Sequence, residues 1–257
     1  QICYLLRDRS FAWIAAMAYA FSATFWSQAI IIEVYSLAVL MFLTCVWAAL
    51  KFSRSGDFRY WYLLGFLYGL ALSNHWPMMI LTTPVLLVLL AESFQSLREK
   101  LASPVFWILS ILCGLLGLSP YIFLVYDSEP VIAVYGGINS IEQFYFYVTR
   151  SIYPDGNEVA NYSDRLKFFL WIIKNSLTQF GIWAAPFILA GIVIGFRSLT
   201  LTFNLALALM YAGCTVMLLV LLNFEFSPFN QAIFAPYPVI SYLAVSIWFA
   251  IGFQTFK

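Results

Sequence analysis

Charge is what this sequence has least of. Only 10% of its 257 residues are Asp, Glu, Lys or Arg, histidine occurs once, and 13 basic residues against 12 acidic ones leave a formal net charge of +1. Soluble chains carry about 25% charged residues. With no basic excess and no Lys/Arg-rich tract, the chain lacks the field needed to hold a nucleic-acid backbone, so nucleic acid is excluded as a partner. The four cysteines (Cys3, Cys45, Cys113, Cys214) are far apart, form no CxxC pair and have no histidine at metal-ligand spacing. They read as packing residues, and no metal is assigned. No dinucleotide fingerprint, Walker A loop or HExxH pattern occurs. No signal peptide is read at Gln1, and the absence of a leading Met suggests a portion of a longer chain.

What the sequence does have is apolar surface: 63% of residues are hydrophobic, 19% aromatic, and the mean hydropathy is +0.87. One water-facing core cannot absorb that excess, so lipid is the expected solvent. The expected fold is all-α, a polytopic transmembrane helical bundle of about eight spans forming a single domain over 1–257. Residues 11–50 are nearly unbroken apolar sequence, about twice one span, and must fold back near the polar cluster Ser22, Thr24, Ser27, Gln28, Glu33. Residues 60–91 repeat the arrangement around Ser73-Asn74-His75-Trp76-Pro77, with arms short for a span. Further spans are expected over 104–126, 177–196, 199–222 and 237–253, with one long outer polar region over 127–174.

Basic residues in short loops gather on the cytoplasmic side. On this layout one face receives nine of the thirteen, Arg7, Arg9, Lys51, Arg54, Arg59, Arg98, Lys100, Arg197 and Lys257, and the other receives eight of the twelve acids. A wrong number of crossings would scramble that separation. Within the outer region, Ile141, Phe144, Tyr145 and Val148 recur at helical spacing and predict a helix over 138–150 lying on the membrane surface. Tyr153 to Asn157 reads as a turn, and Asn161-Tyr162-Ser163 matches the N-glycosylation pattern.

Ionisable groups at hydrocarbon depth cost roughly 2.5 to 3.5 kcal/mol, so those retained there invite a functional reading. Glu33 and His75 are the two such positions, each at an outer reversal, and the two reversals are expected to face one outer cleft. Glu33 also reads as a simple helix end at the interface, and His75 as a hydrogen-bonded structural residue. Both alternatives stand at this level.

The run Phe21-Ser22-Ala23-Thr24-Phe25-Trp26-Ser27-Gln28-Ala29, then Glu33-Val34-Tyr35-Ser36-Leu37, then Gly69-Leu70-Ala71-Leu72-Ser73-Asn74-His75 resembles a family of polytopic glycosyltransferases. That family includes an animal endoplasmic-reticulum O-mannosyltransferase and many bacterial relatives. Ile141 to Phe144 with Val148-Thr149-Arg150 is similar to its outer-loop segment. The resemblance implies a GT-C fold in the endoplasmic-reticulum or bacterial inner membrane, with a polyprenyl-phosphate sugar as donor, a protein hydroxyl or glycan as acceptor, and no further cofactor.

It implies Glu33 and His75 as catalytic candidates, and Trp26, Gln28, Tyr35, Asn74 and Arg150 as donor-binding candidates. The sequence departs from the family in two places. The acidic first outer loop is absent, and Gln231 to Pro236 stands where an Arg is expected. A transporter or flippase, and a non-catalytic scaffold subunit of a larger membrane complex, are the alternative functions.

Overall fold

The computed structural model describes residues 9–126, 138, 140–149, 161–221 and 224–255, and among these every regular element is a helix. The helices are α1 (Arg9–Ala20), α2 (Ala23–Ala29), α3 (Val34–Ser55), α4 (Phe58–Ala91), α5 (Phe94–Lys100), α6 (Pro104–Gly117), α7 (Tyr121–Tyr126), α8 (Ile141–Val148), α9 (Tyr162–Thr178), α10 (Ala185–Ser198), α11 (Leu201–Leu221), α12 (Pro228–Phe234) and α13 (Ser241–Thr255). Among the described residues three segments are long and apolar enough to cross a membrane, and five if each sharply bent pair counts as one span.

The first reversal falls within 21–33. Near one end of the bundle the Tyr19 hydroxyl donates to the Val239 carbonyl at 3.1 Å, while Tyr35, at the start of α3, meets the Tyr237 ring at 5.7 Å. Near the other end of α1, Ser10 accepts from the Gln254 amide at 3.3 Å. The end of α1 and the start of α3 therefore share a level. The first arm is only 12 helical residues long, shorter than a full span, whereas α3 has 22.

The second reversal is at His75, whose φ of −150° and ψ of 76° break α4. An unbroken helix would hold Tyr68 and Thr83 about 22 Å apart, yet their hydroxyls are hydrogen-bonded at 2.5 Å. Likewise the Lys100 ammonium sits 5.8 Å over the Phe58 ring, at the far end of the hairpin. Pro77 removes a backbone donor just after the break. The helix α4 is thus two arms folded against each other, and its ends share the level of Lys51, Arg54, Arg98 and Lys100.

Close helix contact comes from small residues, as expected where lipid supplies no hydrophobic drive between helices. The first arm of α4 runs alongside α6 in the same direction, with Trp61 donating to Ser110 at 2.9 Å and Tyr121 to the Leu72 carbonyl at 3.1 Å. Between those bonds Gly69 packs on Gly114 and Gly117, and a Cβ on Gly117 would collide with the Phe66 carbonyl. At the centre of the bundle α13 is buried along nearly its whole length, between α1, α10 and α11.

Two expected spans are corrected. The segment 104–126 is not one straight span: α6 ends at Gly117 and α7 starts at Tyr121, because Pro120 disfavours helical backbone at the residue before it. The span expected over 177–196 begins only at Ile182. Residues 177 and 178 belong to α9, and the chain turns 86° before continuing into α10. Gly181 makes that corner at φ 90°, and Pro186 starts the new helix.

Candidate functional site

The two reversals meet. The Asn74 side-chain amide donates to the Val34 carbonyl at 3.1 Å, and the His75 ring lies 5.6 Å from that of Tyr35. Tyr237 completes a three-ring cluster, 5.7 Å from Tyr35 and 6.3 Å from His75. His75 is 2% exposed, and its Nδ1 accepts from the Met78 backbone N–H at 3.4 Å.

Glu33 stands at the end of the first reversal. It is exposed and occupies the N-cap of α3 in extended conformation, with no side-chain capping bond. There the helix macrodipole favours a carboxylate, and the side chain points from a rim rather than from the interior. Before it, Ile30, Ile31 and Ile32 are exposed, an apolar tip on the reversal. This position fits the helix-end reading, and it also leaves the carboxylate open to a reactant.

The remaining candidates divide. Gln28 is buried on α2: its Nε2 donates weakly to Ser27 Oγ at 3.3 Å, while its Oε1, like the fully buried Ser22 Oγ, has no hydrogen-bond partner among the described residues. Burying such acceptors unpaired costs about 1 to 3 kcal/mol, so Gln28 Oε1 is poised to receive a donor. Trp26 is half-exposed and stacks on Phe21 at 5.5 Å rather than joining the three rings. Arg150 and the turn expected at Tyr153 lie outside the described residues. No group of three or more His, Cys, Asp or Glu able to hold a metal occurs among the described residues.

The helix predicted over 138–150 is present as α8, with Ser140 accepting from the Gln143 N–H at its start. Its expected apolar face is shared. Ile141 and Tyr145 are exposed, but Phe144 meets Tyr121 at 6.0 Å and the Val148 carbonyl accepts from Trp76 Nε1 at 2.8 Å. The helix is therefore strapped across the residue that follows His75.

Two functional-site neighbours have no signal in the sequence. Tyr237 sits more than 150 residues from its ring partners. Gln179 docks α2, its Oε1 accepting from Thr24 N–H and its carbonyl from Ala23 N–H, each at 3.0 Å. Long-range side-chain pairings of this kind follow no local periodicity.

An all-helical bundle with three to five candidate membrane spans and a polar, aromatic cluster at one end defines a polytopic membrane protein. Residues 5–98 match the family model described as Protein O-mannosyl-transferase TMEM260 N-terminal domain, 94 of the 257 residues. No curated protein and no solved structure matches the chain.

Proposed function

We propose that the chain is the membrane-embedded part of a GT-C glycosyltransferase that moves a sugar from a polyprenyl-phosphate donor to an acceptor hydroxyl on a protein or glycan. The reaction takes place on the outer face of an endoplasmic-reticulum or bacterial inner membrane. One coincidence carries the reading. The stretch that matches a protein O-mannosyl-transferase family, residues 5–98, is the stretch whose two reversals are joined by the bonds of Asn74 and the ring of His75.

In this reading the acceptor oxygen attacks the anomeric carbon as the bond from that carbon to the phosphate oxygen breaks. The electron pair leaves with the polyprenyl phosphate, and the configuration inverts. A carboxylate takes the acceptor proton. In this reading Glu33, exposed at the start of α3 next to the Val34 carbonyl that Asn74 bonds, takes that role. His75 and Asn74 position the sugar or phosphate, and Tyr35 offers a flat face to the ring or the prenyl chain. Gln28 Oε1 accepts from a sugar hydroxyl, and Trp26 contacts the lipid tail. Arg150 is assigned the growing charge on the leaving phosphate.

The test is sugar transfer from polyprenyl-phosphate mannose to an acceptor by the complete protein. Glu33→Gln is expected to lower kcat about 100-fold or more, and His75→Ala to raise KM. Unaltered transfer in both variants sinks the site assignment. Substrate flux in proteoliposomes without any transfer replaces the enzyme reading with a transporter.

A further inference from the structure

A second concavity lies away from the His75 cluster. Where α1 ends, α9 turns into α10 and α13 descends, Ala18, Phe21, Gln179, Phe180, Trp183 and Phe249 line a cleft of about 420 Å³. Its wall is aromatic: Phe249 lies 5.3 Å from Phe180 and 5.7 Å from Trp183, and it stacks on Phe253 at 5.6 Å. Phe249 is ten residues beyond Val239, so the wall descends about 15 Å from the outer end. That is about half the thickness of the hydrocarbon core. None of α1, α10 and α13 packs extensively on the α4 hairpin, so the cleft belongs to a different side of the bundle from His75.

A charge stands one helical turn from the cleft's lining. Thr178 lines the cleft, and its hydroxyl bonds the carbonyl of Lys174 at 2.9 Å, one turn earlier on the same face of α9. Lys174 is exposed and has no acidic partner among the described residues. Because α9 is bent 86° from the helix that follows, a membrane-crossing α10 places α9 along the surface and its lysine at headgroup level.

We propose that this cleft binds one anionic glycerophospholipid of the outer leaflet, with an acyl chain along the Phe180–Trp183–Phe249 wall and the phosphate on Lys174. Two of its lining residues, Phe21 and Trp183, are exposed aromatics, suited to contact with an acyl chain. Its separation from the α4 hairpin distinguishes this lipid from a sugar donor held at His75. Gln179 lines the cleft and also holds α2 through Thr24, so the bound lipid acts as a wedge that fixes the α9–α10 corner and the first outer reversal together.

The test uses the purified full protein in phosphatidylcholine nanodiscs containing a trace of photo-crosslinking phosphatidylglycerol, with labelled peptides mapped by mass spectrometry. Labelling is expected on the peptides that contain Trp183 and Phe249. Lys174→Gln is expected to reduce it about fivefold, the contribution of one lysine at an anionic surface. Labelling by a matched phosphatidylcholine probe should be unchanged in Lys174→Gln. Ala18→Trp, which fills the cleft, is expected to abolish labelling by both probes while leaving the helical circular dichroism intact. Equal labelling of wild type and Lys174→Gln by phosphatidylglycerol overturns the proposal. So does displacement of the probe by an equimolar amount of polyprenyl phosphate, which reassigns the cleft to the donor.

Discussion

The side-chain amide of Asn74 donates to the carbonyl of Val34 at 3.1 Å, fastening together two chain reversals that lie 40 residues apart. Replacing Asn74 with Ala removes the only donor of that bond and leaves the carbonyl to find another. The expected loss is about 0.5 to 1.5 kcal/mol, read as a lower midpoint in thermal unfolding in detergent. A midpoint equal to wild type contradicts the fastening role.

His75 contributes both a ring and an acceptor, and the two are separable. In His75→Phe the ring between Tyr35 and Tyr237 is kept, while the bond from Met78 N–H is lost. Stability should fall by only about 1 kcal/mol, whereas transfer activity should fall further if the imidazole contacts the donor. Equal activity in His75→Phe and wild type assigns the residue to packing alone.

Trp76 holds α8 through a single bond from its Nε1 to the Val148 carbonyl. Trp76→Phe is expected to speed amide exchange of residues 141–149 about fivefold, the effect of losing about 1 kcal/mol of local stability. Hydrogen-exchange mass spectrometry reads this directly, with exchange in α3 as the internal control.

Gly181 turns the corner at φ 90°, where a Cβ would also stand 2.7 Å from Trp183 Nε1. Gly181→Ala therefore strains the backbone and displaces the Trp183 ring, at a cost of roughly 1 to 3 kcal/mol. The expected outcome is a lowered unfolding midpoint together with a blue or red shift in tryptophan emission. A silent substitution contradicts this account of the bend.

Asp57 caps α4 by accepting from the Arg59 N–H at 3.0 Å and pairs with the Arg59 guanidinium at 2.7 Å. That pairing holds its carboxyl below the usual range. The sign follows from the depressed value: the contribution is present above the unfolded-state pKa and is lost as pH falls through the folded one. Asp57→Asn should thus lower the unfolding midpoint slightly at neutral pH, and the gap between variant and wild type should close under acid.

The turning points of this chain were legible in its residues. Ser22 to Glu33 and Ser73 to Pro77 are polar interruptions in apolar runs too long for one crossing, and hydrocarbon leaves such groups nowhere but a helix end. The break after Gly117 and the corner at Gly181 were less so. Pro120, Gly181 and Pro186 all stand in apolar stretches that spanning helices tolerate, and only packing decides whether a helix bends there or continues.

Composition and charge placement alone determined that lipid is the main solvent, that the fold is helical, and which ends carry the basic residues. These are sums over local properties. Tertiary structure decided that Tyr237 closes the ring cluster at His75, that Glu33 stands at an exposed rim, and that the buried Gln28 oxygen has no partner among the described residues. It also decided that Phe180, Trp183 and Phe249 wall one aromatic cleft. Those relationships join residues tens to hundreds of positions apart, and they depend on how closely helices approach, which Gly69, Gly114 and Gly117 set through backbone contact that no hydropathy pattern encodes.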